Sequence, residues 1–160
     1  MTGKQHETPT DAQQQAISQT GTSHRSLVTA QNSLFRALGR AAPLREREWA
    51  ARVAEALDEA RRCIASHRAS VEGHGGLYDE LRFEAPWLLS RVQQLVNQLR
   101  RLEAEAEDLS IEVERVRQGD LEPLPRIRAE AELVLRSLRE VMAKETDIIW
   151  ERFNEPVALD

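Results

Sequence analysis

Between Pro86 and Gly119 the apolar residues Leu88, Val92, Leu95, Leu99, Leu102, Ala106, Leu109, Val113 and Val116 recur at alternating spacings of four and three. That period lines up one face of a long helix and leaves the charged positions on the other. Pro86 suits a first helical turn and Gly119 a left-handed C-cap, so a helix is predicted over 86–118. Three more segments repeat the spacing. Leu27, Leu34 and Leu38 mark a helix over 23–40, opened by Ser23 as an N-cap residue and closed by Gly39 and Pro43. Trp49, Val53, Leu57, Ala60, Ile64, His67 and Val71 share one face of a helix over 44–71. Ile127, Ala131, Val134, Leu138, Val141, Glu145 and Ile148 do the same over 125–152. The longest connection carries Gly73, Gly75 and Gly76, then Leu77–Leu81, which reads as a short turn of helix.

Four amphipathic helices joined by mostly short connections must alternate in direction, because a short loop cannot return the chain to the far end. The predicted fold is therefore all-α, an antiparallel up-and-down four-helix bundle over 23–153, with the gentle left-handed supercoil that spacings of three and four impose. Residues 1–22, with Thr8-Pro9-Thr10 and Gln13-Gln14-Gln15, hold too little apolar material to offset chain entropy and read as a flexible tail. Residues 154–160, interrupted by Pro156, read as an irregular C-terminal tail. A chain of 160 residues suits one domain with a real core.

Composition narrows the partners. A net charge of −5 argues against nucleic acid and against an anionic membrane surface, both of which need a basic face. No apolar run approaches the roughly 20 residues that span a bilayer, and the N-terminus carries no signal-like apolar stretch, so a cytoplasmic protein is expected. The lone Cys63 has no intramolecular partner for a disulfide and sits within a helical pattern, as a small residue at the edge of the core.

The chemistry lies where polar groups interrupt the stripes. His24, Gln31, His67 and Glu145 fall on faces that otherwise bury aliphatic side chains. Counted from the first interhelical turn at about 1.5 Å per residue, His24 and His67 differ in height by about 10 Å yet lie in the same half of the bundle. Counted from the last turn, Leu99 and Glu145 are nearly level. A carboxylate buried alone is costly, so Glu145 needs a partner: a metal ion, His67 or an arginine, unless the helix rotates to expose it. His67 in turn either ligates a metal or hydrogen-bonds a carbonyl or carboxylate. His6 belongs to the tail and His74 to a glycine-flanked loop, and the stretch Glu103, Glu105, Glu107, Asp108 is a solvated helix face without the turn a calcium loop needs. No phosphate-binding glycine loop, paired-cysteine motif or activated nucleophile is present, so no enzyme is predicted. Tyr78, Phe83 and Trp87 beside the long connection either cap the core or anchor a protein partner.

Glu46–Val71 followed by Glu72-Gly73-His74-Gly75-Gly76-Leu77-Tyr78, then Ala85-Pro86-Trp87-Leu88-Leu89 and Asp147-Ile148-Ile149-Trp150-Glu151-Arg152-Phe153-Asn154, resembles bacterial hemerythrin-like (HHE-type) proteins. The similarity runs from about His24 to the end of the chain. It implies a four-helix bundle whose histidines and carboxylates hold a non-haem di-iron pair that binds or senses oxygen. Carried over by position, the ligand set becomes His24, His67, Glu72 and Glu145. Glu72 stands one residue beyond the expected place, which Val71 occupies, a rotation of about 100° on a helix. Leu95, Leu99 and Val141 stand where histidines are expected. Iron of this type needs several imidazole and carboxylate ligands, so these four residues suffice for one mononuclear site at most. Two readings follow: a hemerythrin-like protein binding iron or oxygen through a reduced site, or a metal-free helical interaction or structural module.

Overall fold

The computed structural model describes residues 11–40 and 43–153, with side chains described from 21 to 40 and 43 to 152. Among them every regular element is helical: α1 (Asp11–Gly39), α2 (Glu46–Glu72), α3 (Leu77–Glu84), a 3₁₀ turn (Pro86–Leu88), α4 (Leu89–Arg117) and α5 (Leu124–Phe153). Four long helices form the body. His6 and the expected C-terminal tail lie outside the described residues.

The first helix corrects the sequence reading, since it opens at Asp11 rather than at Ser23, and so residues 11–22 are helix, not tail. Apolar content misled here because it measures packing, whereas extending a helix already nucleated by packing costs little per residue. Ala12, Gln13, Gln14, Gln15 and Ala16 are good helix formers. Ser23 is therefore a mid-helix residue whose hydroxyl is not used as a cap.

Elsewhere the boundaries move by a few residues. Helix α2 starts at Glu46, with Glu46 and Glu48 in its first turn, and buries the expected face from Trp49 to Val71, including His67. The turn predicted at Leu77–Leu81 is a helix of eight residues that buries Leu77 and Leu81 under one end of the bundle. Pro86 opens a 3₁₀ turn before α4, which buries the predicted stripe plus Val96. Gly119 has φ +102°, a backbone conformation that lets the chain leave α4 sharply.

Cross-helix pairs fix direction and neighbours. Arg68 and Arg61 of α2 meet Glu103 and Ser110 of α4, so residue numbers run oppositely along these two helices. Arg91 and Glu112 of α4 meet Glu151 and Arg126 of α5 in the same opposed sense. Helix α2 packs along α1 on one side and α4 on the other, and α4 packs on α5, while α1 and α5 touch over a shorter stretch. The core has two parts. One, near the start of α2, is built around Ala30, Leu34, Trp49, Val53, Leu57, Ala106, Leu109 and Ile127. The other, over α3, contains Leu27, Ile64, Val71, Leu95, Leu99, Leu138, Val141 and Ile148. His67 and Glu145 lie in that second half.

Candidate functional site

Three of the four polar groups that interrupt the stripes converge, and the fourth, Gln31, is buried on α1. His67 Nε2 lies 2.5 Å from Glu145 Oε2, each side chain only 1% exposed. His24 Nδ1 stands 3.7 Å from Glu145 Oε1, an ion-pair distance beyond hydrogen-bond reach, and its ring centroid is 6.4 Å from that of His67. The height difference counted from the turn does not appear because the two helix ends are staggered. His24 lies 15 residues before the end of α1 and His67 lies 21 residues after the start of α2. For the two rings to approach as they do, the ends of α1 and α2 must be offset along the bundle by up to about 9 Å, the rise of the six extra residues.

A fourth member was missed. Ser23 Oγ lies 2.6 Å from His67 Nδ1. Since the carboxylate accepts only, Nε2–H of His67 donates to Glu145, and in the neutral ring Nδ1 accepts the serine hydroxyl proton. Ser23 shares the helical face of Leu27, Ala30 and Leu34, so the signal was in the stripe; reading Ser23 as a cap hid it.

The charges reinforce one another. Burial alone pushes the Glu145 carboxyl up, but the His24 and His67 imidazoles outweigh burial and hold it below its ordinary range. The Glu145 carboxylate raises the His24 pKa above its ordinary value, against partial burial that lowers it. One oxygen is left over: Glu145 Oε1 is buried without a hydrogen-bond partner.

Glu72 is not part of this cluster. It accepts hydrogen bonds from Arg68 at 2.7 Å and Arg100 at 2.5 Å, and Arg68 also pairs with Glu103, a chain of charges along the α2–α4 face. The one-residue offset acts as expected, with Val71 fully buried and the Glu72 side chain 28% exposed. Leu95, Leu99 and Val141 point into the core at 1%, 0% and 3% exposure. Helix α4 thus brings aliphatic groups, and the interior donors come from α1, α2 and α5.

The donor set does not fit a di-iron pair, which needs more ligands than the two imidazoles and one carboxylate gathered here. Among the described residues no group of three or more His, Cys, Asp and Glu is arranged to hold a metal ion. Both ring nitrogens of His67 are engaged, one by Ser23 and one by Glu145. Serine, imidazole and carboxylate in series resemble a nucleophile, base and orienting acid. Ser23 lies inside α1, where the surrounding backbone N–H groups serve the helix. On its outer side Ser23 lines an open groove of about 560 Å³ shared with Ser26, Cys63, Ser66 and Ser70.

The aromatic residues near the long connection divide. Tyr78 packs on the core, as a cap does, whereas Phe83 and Trp87 are 80% and 57% exposed. His74 is exposed and faces Asp79 at 3.4 Å. Among the described residues no helix is long and apolar enough to cross a membrane. Comparison with family models, with curated proteins and with solved structures gives no match.

Proposed function

We propose that this chain is a hemerythrin-like, up-and-down antiparallel bundle that works without metal and without catalysis, as a cytoplasmic helical module binding a protein partner. In this reading the His24–Glu145–His67 cluster stands where proteins of that type carry iron. One observation carries it: Glu145 is buried against His67 at 2.5 Å and His24 at 3.7 Å while α4 brings Leu95 and Leu99 to the same half of the core. The opposed pairings of α2 with α4 and of α4 with α5 support the antiparallel arrangement. Exposed Phe83 and Trp87 supply the anchors a partner would engage.

The alternative is a single ion held by His24, His67 and Glu145. The unpartnered Glu145 Oε1 favours it, because a cation would satisfy that atom. Metal analysis of untagged protein separates the two, combined with thermal unfolding before and after adding ferrous iron or zinc. The metal-free reading predicts substoichiometric metal and an unchanged midpoint. A site for the folded state alone, filled at 100 times its dissociation constant, adds about 2.7 kcal/mol of stability. Stoichiometric iron that disappears in His67→Ala would establish the single-ion reading instead.

A further inference from the structure

The opposite end of the molecule, where α1 stops and α2 begins, gathers positive charge in an otherwise acidic chain. Arg40, Arg45, Glu48, Trp49 and Arg52 enclose a cavity of about 180 Å³. Arg128 stacks over the Trp49 ring at 5.3 Å, adding a further guanidinium beside it. Glu48 is the cavity's carboxylate, and it pairs with Arg52 at 3.5 Å. Among the described residues Arg40 and Arg45 have no carboxylate partner, and nearby Glu46 is turned to the backbone N–H of Leu44.

Two other observations point to the same ligand. Arg45, at the N-cap of α2, makes no side-chain capping bond, so the positive end of a long helix is left without a side-chain acceptor. Trp49, a wall of the cavity, is 97% buried by its 3% exposure, yet its Nε1–H has no hydrogen-bond acceptor. A buried donor left unsatisfied is costly, and its ring forms a wall of a cavity lined by three arginines. An anion supplies what each lacks.

We propose that this cavity binds a phosphoryl group, taken as inorganic phosphate or as the terminal group of a small phosphomonoester. Arginine forks match phosphate oxygens in pairs, and helix N-termini favour the same anion. The volume lies below the roughly 300 Å³ at which drug-sized pockets begin, so the cavity takes a group rather than a large molecule. A nucleic acid is excluded, because a phosphate backbone needs an extended basic stripe.

The test follows the Trp49 indole N–H in nitrogen–proton correlation spectra of the full chain, assigned through Trp49→Phe. Inorganic phosphate, methyl phosphate and dimethyl phosphate are titrated at fixed ionic strength. A saturable shift of that resonance with phosphate and methyl phosphate, much weaker with the singly charged diester, is expected. Preference for methyl phosphate would identify a monoester as the natural source. Arg40→Gln and Arg45→Gln should each weaken binding by about tenfold or more, with helicity unchanged. No saturable shift at tens of millimolar phosphate, or an equal response to chloride, would overturn the proposal. So would full affinity in both arginine variants.

Discussion

Replacing His67 with alanine removes the group that makes Glu145 tolerable in the core. Both side chains are 1% exposed, so the carboxylate is left with His24 at 3.7 Å, a ring that is itself 30% exposed. Deleting the donor leaves a buried carboxylate uncompensated, a loss of the size seen when one partner of a buried pair is removed, about 3–5 kcal/mol. Protonation limits the electrostatic part: holding a carboxyl of ordinary pKa 4.5 neutral at pH 7 costs about 3.4 kcal/mol, and the void left by the imidazole adds to it. For a domain of this size, at 2–4 °C per kcal/mol, the thermal midpoint should fall by about 6–20 °C. Helical circular dichroism during heating measures it directly. The decisive control is His67→Leu combined with Glu145→Leu, because an apolar pair of similar volume is often as stable as the buried ion pair it replaces. The double variant should regain at least half of the loss. A His67→Ala midpoint equal to the parent's, or a double-leucine protein as unstable as both single changes added together, would refute the coupling.

Stability should peak in mildly acid solution. Glu145 is depressed below its ordinary 4.5, so its contribution is present above that value and is lost as pH falls through the folded pKa. His24 is raised above its ordinary 6.5, so its contribution is full below 6.5 and is lost as pH rises through the folded pKa. Urea unfolding should therefore give a maximum between about 4.5 and 6.5 that flattens in Glu145→Gln; a steady rise through pH 8 would contradict this. Leu99→Ala, at a fully buried position, should cost about 2–5 kcal/mol, whereas Leu133→Ala, 57% exposed, should change stability by under about 0.5 kcal/mol. Equal effects by denaturant titration would contradict the assigned interior. Gly119→Ala, at φ +102°, should cost about 1–2 kcal/mol by the same measurement, and no loss would show that the turn after α4 adapts.

The apolar period revealed the four long helices and most of their buried faces because packing and sequence share that period. It said nothing of helix that lacks a packed stripe, and so α1 was cut short at Ser23. The inward placement of His67 and Glu145 was legible for the same reason, and pairing them followed from the cost of a buried charge. Their approach to His24 was not, since it depends on the stagger between α1 and α2, which loop length does not specify. Ser23 lay in the right stripe, but N-cap residues are also serines, and one residue type served two explanations. At Trp49 the apolar stripe marks the ring as core, and nothing in the sequence indicates whether its N–H finds an acceptor.

Diffraction from crystals soaked in ferrous iron or zinc, with anomalous data at each absorption edge, is the most direct examination of the interior cluster. A metal-free cluster gives direct contact of His67 Nε2 with Glu145 and no anomalous density near it. A peak within bonding distance of His24, His67 and Glu145 would show that the three residues form a metal site.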